Sequence, residues 1–511
     1  MGAALAVVER DSFAAADACY GGMVSFLKSG EAKEQTESQL ERSVEGRIRE
    51  LARELIQAHL LERGPGEAAG EVSGADGVVR ERKRVHERGV ETIFGEVRVS
   101  RLGYGADGVE SLHPLDAELN LPQELYSLEL RRRAAEEAAK QSFDETVLSL
   151  EQRTGTSVGK RQVEELVQRA AVDFDAFYAA QTPEELAGTG SVLVISADGK
   201  GVVMVPRDLR EATRKAAEKR SHKLDKRLTK GEKRNRKRMA TVATVYTVPP
   251  YPRTPEQVVR GLAPHHERDP ARPRPEHKRV WASLEKDPDQ VLEEAFREAE
   301  HRDPDRKKSW VALVDGNKTQ LEILEDLAGL HDVELSVVLD IMHVAEYLWD
   351  AALGFHPEAS KQREEWVSKR LLEVLRGRAS WVAAGMRRSA TRRRLRAKRR
   401  KLVDKCADYL LVYKAYLRYD QYLAKGFPIA TGVIEGACRH LVCDRMDAGA
   451  RWSLAEAEAV LRLRALRSSG DFEEYWAYHE QQEHQRNHVA HYAHGQVVPV
   501  RRASSLLRSV K

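Results

Sequence analysis

The sequence predicts an α/β fold built around a mixed β-sheet, and three observations support this. From residue 188 onward, short runs rich in Val and Ile replace the helical periodicity of the preceding chain. Helical patterns separate the later apolar runs, as expected where strands are connected in parallel. The 511 residues also exceed what one compact core usually holds, which indicates several domains or one domain with large insertions.

Composition narrows the class of protein further. Apolar residues make up 41% of the chain, which is enough to build cores. No uninterrupted apolar stretch approaches the roughly twenty residues of a membrane-spanning helix. The start, MGAALAVVERDSF, has no basic residue before its short apolar run, so we expect no secretory signal and a cytoplasmic protein. The four cysteines form no C-x-x-C pair, so we expect any metal to have oxygen ligands.

Basic residues are concentrated in two internal segments. Residues 207–238 contain fifteen Lys or Arg against five Asp or Glu, and ten of the fifteen residues in 387–401 are basic. A run of like charge is often only a solvated face. Because both runs lie between regular elements, we interpret them as binding the phosphates of a polyanion such as DNA. The candidate DNA contacts are Arg234, Arg236, Lys237, Arg238, Arg392, Arg393 and Arg394.

Residues 1–86 predict a mainly helical N-terminal region. Within it, SQLERSVEGRIRELARELIQAHLLERG has the periodicity of an amphipathic helix that ends at Gly64. The following segment VETIFGEVRVSRLGYG alternates apolar and polar residues around Gly95. This alternation predicts a β-hairpin.

Two helices joined by a turn are predicted between residues 127 and 180. The first ends at Gly155, and the second follows the candidate cap Ser157. This spacing resembles a helix-turn-helix, but an ordinary αα-hairpin is an equally common interpretation. In the first interpretation, residues 87–187 form a DNA-binding region, and Lys160, Arg161 and Gln162 contact DNA.

Five apolar runs predict the strands of the sheet. They are residues 191–196, 201–205, 239–248, 309–314 and 335–339. The first three can form an antiparallel meander, whereas a helical pattern precedes each of the last two. The sheet is therefore expected to be antiparallel first and parallel later.

Carboxylates follow three of these predicted strands. Asp198, Asp315 and Asp340 stand at the C-terminal ends of the first, fourth and fifth runs, the edge where open α/β sheets place their sites. If the first and fourth strands are adjacent, Asp198 and Asp315 lie side by side and repel each other unless a cation or proton lies between them. Mg²⁺ would remove that conflict, and a pair of Mg²⁺ ions suits phosphodiester cleavage or transfer.

Glu435 is the best candidate for a third carboxylate of this site. Pro428 and Thr431 are helix-start signals, which put Glu435 in an early helical turn with Arg439 one turn later. A glutamate in that position also complements the helix dipole, so both interpretations stay open on spacing alone.

The order Asp198, Asp315, Glu435 resembles the DDE transposases of bacterial insertion sequences, and most closely the ISKra-type transposases. The resemblance extends from about residue 90 to 475. Its motifs are LDAELNLP, ISADGKGVVM, WVALVDGNKTQLEIL, VVLDIMHVAEYLW and GFPIATGVIEGACRHLVCDRMDAGARW.

This resemblance implies a ribonuclease-H-like catalytic core. The core would consist of residues 188–340 and 429–475, with an all-helical insertion at 341–428 and a C-terminal tail at 476–511. Asp198, Asp315 and Glu435 would hold two Mg²⁺ or Mn²⁺ ions, with Asp340 and His343 supporting the site or the DNA. A buried polar pair at a strand end is an equally common interpretation of Asp340 and His343.

The implied activity is strand cleavage at insertion-sequence ends, followed by transfer into target DNA. A homodimer or higher oligomer on the DNA, associated with the nucleoid, is expected. Many members of the family carry a basic residue about two turns after the glutamate, where Val442 stands here, so the DNA contact falls to Arg439 or Arg445.

Two other functions remain open at the level of sequence. The same fold could serve a structure-specific DNA nuclease that never joins strands. The chain could also be a DNA-binding regulator or a catalytically decayed transposase, although all three candidate carboxylates are present.

Overall fold

The computed structural model describes residues 11–181, 190–219, 230–262, 272–447 and 449–501. The chain divides into two compact units. Unit 1 contains the residues up to Phe177 and those from Glu473 onward, and unit 2 is Tyr178–Phe472. Among the described helices, none combines the length and apolar character needed to cross a membrane.

Unit 1 combines helices with a three-stranded antiparallel sheet in the order β1-β2-β3. The strands are β1 (Arg82–Thr92), β2 (Gly95–Ala106) and β3 (Val109–Leu112). The helices up to the unit boundary are α1 (Ala14–Lys28), α2 (Gly30–Glu34), α3 (Glu37–Arg63), α4 (Pro114–Glu118), α5 (Leu128–Ala138), α6 (Phe143–Thr154), α7 (Lys160–Ala170) and α8 (Phe174–Ala180).

Several predicted elements of unit 1 are confirmed. Helix α3 ends at Gly64, whose φ of 67° is a conformation that glycine adopts without steric cost. The predicted hairpin is β1 paired with β2, and Val90 faces Val97 across it. Helix α6 is capped by Gly155 in the left-handed conformation. The prediction of Ser157 as the next cap is wrong, because α7 begins after Gly159.

Unit 2 is built on a five-stranded mixed sheet in the order β6-β5-β4-β7-β8. Its strands are β4 (Val192–Val203), β5 (Lys237–Val248), β6 (Glu276–Ser283), β7 (Ser309–Val314) and β8 (Leu335–Leu339). Strands β4, β5 and β6 pair antiparallel, whereas β7 is parallel to both β4 and β8. The predicted change from antiparallel to parallel pairing is therefore confirmed.

The structure corrects two strand predictions. Residues 191–196 and 201–205 form one strand, β4, because the Asp-Gly-Lys-Gly sequence between them stays paired with β5 and does not turn. The edge strand β6 was not predicted, since its first half is charged and only Val280, Trp281 and Ala282 form an apolar run. Charged residues are a common means of protecting a sheet edge from association.

Helices occur in the connections between the strands of unit 2, and they form most of the long segment after β8. They are α9 (Glu211–Glu218), α10 (Lys230–Arg234), α11 (Pro255–Gly261), α12 (Pro288–Arg302), α13 (Lys318–Leu330), α14 (Ile341–Ala352), α15 (Lys361–Leu375), α16 (Ala379–Arg392), α17 (Ala397–Val412), α18 (Tyr419–Ala424), α19 (Gly432–Ala437), α20 (Asp444–Met446) and α21 (Leu454–Ser469). The five helices from α14 through α18 pack against one side of the sheet in a continuous apolar core. Its strand residues include Val194, Val311 and Val338.

The segment predicted as a C-terminal tail, 476–511, is described up to residue 501 and begins within a helix. Helix α22 (Phe472–Asn487) packs in unit 1, where Tyr475 donates a 2.7 Å hydrogen bond to the carbonyl of Ala170 in α7. His479 of α22 is fully buried and lies 2.6 Å from Asp173. The chain from 473 to 501 is thus part of unit 1, together with the N-terminal residues.

Candidate active site

Three aspartates lie just beyond the paired parts of the parallel strands in unit 2. Strand β4 pairs with β7 up to Ile195 and Ala312, and the same register continued by three residues aligns Asp198 with Asp315. Strand β7 pairs with β8 up to Val314 and Leu339, so the next position aligns Asp315 with Asp340. Adjacent strands lie about 4.8 Å apart, and aligned side chains of parallel strands point to the same face. The register, if continued past the last paired residues, would therefore place the three carboxylates in a row.

The prediction that Asp198 stands at a strand end is wrong. It lies inside β4 opposite Val242 of β5, three residues beyond the last pair with β7. Its carboxylate is 2.8 Å from the ammonium of Lys200 and accepts a 3.3 Å hydrogen bond from the thiol of Cys438. The hydrogen bond to Asp198 raises the pKa of Lys200. Asp198 therefore lies between Lys200 of its own strand and Cys438 of the helical segment after Glu435.

Asp340 is fully buried and is surrounded by hydrogen-bond donors. The backbone amides of Met342 and Thr431 donate to its Oδ1 atom at 3.0 and 3.3 Å. The hydroxyl of Thr431 lies 2.6 Å from Oδ2, and the ring of His343 lies 3.1 Å from the same atom. A buried carboxylate with this many partners is a positioning group and has little capacity left for a metal ion.

Thr431 also connects Asp340 to Glu435. Its hydroxyl is 3.1 Å from Oε1 of Glu435, but a hydroxyl has one proton and donates to one acceptor at a time. The shorter contact assigns that proton to Asp340. Glu435, which is exposed, thus keeps its acceptor capacity next to Asp340.

Asp315 directly follows β7 and is half buried. Its Oδ1 atom accepts a 2.9 Å hydrogen bond from the backbone amide of Asn317. Burial lowers the pKa of His343, but the hydrogen bond to Asp340 and the negative charges of Asp340, Glu346 and Asp315 outweigh it, so the net shift is upward. The pKa of His343 is therefore influenced by both Asp340 and Asp315.

The helix that carries Glu435 changes its winding after the first turns. Helix α19 runs into a π-helical turn, Cys438–Cys443, before α20 begins. Cys438 stands three residues after Glu435 and so lies near it on the helix surface, which brings the glutamate toward Asp198. Such π turns frequently occur at functional sites.

The π turn also separates the two candidate basic residues. Arg439 is exposed, with its nearest carboxylate, Asp444, at 3.8 Å. Arg445 is only 4% exposed, and its guanidinium stacks on the ring of Trp452 at 4.5 Å. The prediction of Arg445 as a DNA contact is therefore wrong, and Arg439 is the residue that can reach a backbone phosphate.

The first basic run is only partly available for DNA. Lys237 and Arg238 are the first residues of β5, and Arg236 is buried. The guanidinium of Arg238 donates to the carbonyls of Leu284 at 2.7 Å and Asp208 at 3.2 Å. Arg236 and Arg238 are thus structural, which corrects their prediction as DNA contacts. Residues 220–229 and the side chain of Arg234 lie outside what the structure describes.

The second basic run, residues 387–401, has exposed arginines that are available for binding. Arg392, Arg393 and Arg394 are all exposed at the turn between α16 and α17. Arg387 and Arg400 of the same run are instead paired with Asp408 at 2.5 Å and Asp404 at 3.3 Å. The turn is therefore the best-exposed basic surface among the described residues of the two runs.

The candidate recognition residues of unit 1 lie at the start of α7. Lys160 is 2.8 Å from Asp144, and Arg161, with its side chain 85% exposed, is 3.1 Å from Glu165. The opposite face of α7 is buried through Val163, Leu166, Val167 and Ala170. Helices α5, α6 and α7 pack together, an arrangement that is compatible with either interpretation of this segment.

The donor chemistry of Asp198, Asp315 and Glu435 fits Mg²⁺, which prefers carboxylate oxygens. In the described part of the chain, however, no three His, Cys, Asp or Glu side chains are grouped as a ready ligand set. The ammonium of Lys200 neutralises Asp198 in this arrangement. Assembly of a metal site would therefore require Lys200 to leave Asp198.

Three residues of the site were not identified as such from the sequence. Thr431 was interpreted only as a helix start, and Cys438 only as one of four cysteines that form no C-x-x-C pair. Lys200 had a detectable signal, because residues i and i+2 of a strand lie on one face, but only if residues 192–203 are taken as one strand. No protein-family model matches this chain, and no curated protein matches it either.

Proposed function

We propose that this protein is a transposase of the DDE type, which cleaves DNA at the ends of an insertion sequence and joins them to target DNA. The observation that carries the proposal is that the glutamate helix contacts two of the aspartates, since Thr431 lies between Glu435 and Asp340 and the thiol of Cys438 donates to Asp198. The sheet order, antiparallel on one side of β4 and parallel on the other, is compatible with a ribonuclease-H-like core.

Each residue of the site would have a distinct task. Asp198, Asp315 and Glu435 would hold Mg²⁺ or Mn²⁺, which supplies the Lewis-acid chemistry that phosphodiester cleavage needs. Asp340 would fix the position of Thr431 and His343, since its own oxygen atoms are already hydrogen-bonded. His343 would lie between Asp340 and Asp315, whose negative charges favour its protonated form.

Exposed basic groups would position the DNA around these carboxylates. Arg439 is exposed on the helix segment that follows Glu435. The α16–α17 turn adds Arg392, Arg393 and Arg394 from the helical segment after β8. Contacts of this kind bind the backbone without reading sequence, and their strength falls steeply with salt.

A strand-transfer assay tests this function. The substrate is a DNA fragment that carries the gene with its flanking sequences, incubated with the purified protein, Mg²⁺ and a supercoiled target plasmid. A transposase joins fragment ends to the plasmid, whereas a structure-specific nuclease cuts branched DNA and yields no joined product. A regulator or a decayed enzyme binds the fragment and does neither.

A matched pair of variants links the result to the site. Asp315→Asn should abolish joining while DNA binding persists, because the change removes charge with little change in volume. Asp326→Asn, an exposed aspartate on α13, serves as the control and should behave as the wild type.

A further inference from the structure

The π turn that follows Glu435 is bound from outside by a side chain that the proposed function does not use. Arg464, on α21, donates from Nε to the carbonyl of Leu441 at 2.9 Å and from Nη2 to the carbonyl of His440. Both carbonyls belong to the π turn Cys438–Cys443. One guanidinium group therefore binds two consecutive carbonyls of the segment that carries the glutamate.

These two carbonyls suit an arginine because of how the turn is wound. Where α-helical and π-helical winding meet, the regular hydrogen-bond ladder of the backbone is interrupted, and a side chain can insert there. Leu441 is fully buried, so its carbonyl depends on donors from the protein. A guanidinium presents its N–H groups in a rigid planar fork, and two of them reach neighbouring carbonyls at once. A lysine ammonium, in contrast, is a point charge on a flexible chain.

Helix α21 is itself bonded to the sheet on both sides of Arg464. Near its start, Glu458 accepts a 2.7 Å hydrogen bond from the hydroxyl of Ser283 in β6. At its end, the hydroxyl of Ser469 accepts a 3.0 Å hydrogen bond from the backbone amide of Val280 in β6 and donates to its carbonyl at 3.3 Å. Arg464 thus extends to the π turn from a helix that is attached to β6 at two points.

The turn that Arg464 binds is also the one that meets Asp198. The thiol of Cys438, the first residue of the turn, donates to Asp198 at 3.3 Å. Glu435 stands three residues earlier, about one helical turn away. A π turn released from Arg464 would be free to shift away from β4, and Cys438 and Glu435 would shift with it.

We propose that Arg464 is a positioning residue, which keeps the glutamate helix against β4 by binding the carbonyls of His440 and Leu441. It acts through the backbone of the π turn, so its two donors matter more than its charge. The placement of Cys438 depends on these contacts alone, whereas the consequence for cleavage rests on the proposed function.

Alkylation of the cysteines by iodoacetamide, mapped by mass spectrometry in the full chain, tests this role without any assay of activity. Arg464→Met removes both donors and keeps the length of the side chain. Cys438 should then be alkylated roughly tenfold faster than in the wild type, the effect expected when hydrogen bonds from a charged group are lost and local opening becomes easier. Cys406, which is equally buried in the helical core, is the internal control and should keep its slow rate.

Two further variants separate the donors from the charge. Arg464→Lys keeps the positive charge but not the fork, so Cys438 should still react faster than in the wild type. This milder change also decides the question if Arg464→Met makes Cys406 react faster as well. Arg467→Met removes the same charge from an exposed position of α21 and should leave the rate at Cys438 unchanged.

Nicking of DNA then shows whether the position of the helix matters for cleavage. Arg464→Met should lower kcat by up to roughly a hundredfold, the cost of misplacing a catalytic group by about 1 Å, while the Kd for DNA and its salt slope stay as in the wild type. Failure of the wild type to nick DNA would contradict the proposed function, and the alkylation rates would still decide the role of Arg464. The proposal is overturned if Cys438 reacts no faster in Arg464→Met, or if Arg464→Lys fully restores the wild-type rate.

Discussion

The hydroxyl of Thr431 lies 2.6 Å from the buried carboxylate of Asp340, and this contact joins the glutamate helix to the end of β8. It explains how an exposed residue, Glu435, is kept next to Asp340 at the end of β8. The same contact makes a direct prediction about stability.

Thr431→Val should destabilise unit 2 by about 1–3 kcal/mol, since it removes a donor from a buried carboxylate and leaves the volume nearly unchanged. Thr431→Ser keeps the hydroxyl and should retain most of the stability. Chemical denaturation measures both variants. Equal stability of Thr431→Val and the wild type would show that the hydroxyl is not needed by Asp340.

Lys200 should compete with divalent metal for Asp198. In Lys200→Met the carboxylate loses its ammonium partner, so the Mg²⁺ concentration that gives half-maximal cleavage should fall, by up to roughly fivefold for a partly exposed ion pair. Lys215→Met breaks a comparable pair with Glu211 on α9 and should leave the Mg²⁺ requirement unchanged. A higher requirement in Lys200→Met would mean that Lys200 orients Asp198 for the metal.

The α16–α17 turn should bind DNA. Replacing Arg392 and Arg394 with Gln should weaken DNA binding similarly for all sequences, and the salt slope should fall by up to about 0.9 for each phosphate that is no longer neutralised. The control, Arg387→Gln with Arg400→Gln, removes the same charge from residues already paired with Asp408 and Asp404. Fluorescence anisotropy at several salt concentrations compares the two. Identical salt slopes in both double variants would place the DNA elsewhere.

Unit 1 should lose stability on mild acidification because of two buried histidines. Burial is the main cause that lowers the pKa of His113 and His488 to about 4, whereas the unfolded chain titrates near pH 6.5. Between those values the unfolded state binds more protons, so the free energy of unfolding should fall as pH decreases from about 6.5 to 4.

The double variant His113→Gln with His488→Gln should show a flatter pH dependence over this range. His59→Gln, at an exposed position of α3, should keep the wild-type profile. Denaturation midpoints at several pH values provide the measurement. A double variant with the same slope as the wild type would refute the assignment.

Much of this fold could be predicted because its strands have simple patterns. The runs 309–314 and 335–339 are short, apolar and bounded by helices, and they coincide with β7 and β8. The edge strand β6 escaped prediction because half of it is charged. The Asp-Gly-Lys-Gly sequence predicted a turn, but pairing with β5 overrides that local preference.

The sequence indicated which carboxylates are candidates for the site, but it did not indicate which residues contact them. Asp315 and Asp340 directly follow β7 and β8 as predicted, whereas Asp198 lies inside β4 because the predicted turn after it is not formed. The π turn after α19 could not be inferred from helical spacing, so Arg445 was expected at the surface. Basic composition likewise did not reveal that Arg238 bonds two backbone carbonyls.

The central claim is that Asp198, Asp315 and Glu435 act together in metal-dependent cleavage of DNA ends. The most direct test is nicking of end-labelled flanking DNA with Mg²⁺, compared between the wild type and Asp198→Asn, Asp315→Asn and Glu435→Gln. We predict nicking by the wild type with Mg²⁺ or Mn²⁺, little with Ca²⁺, and none by any of the three variants, all of which still bind DNA. Nicking at the wild-type rate by any one variant would remove that residue from the site and contradict the claim.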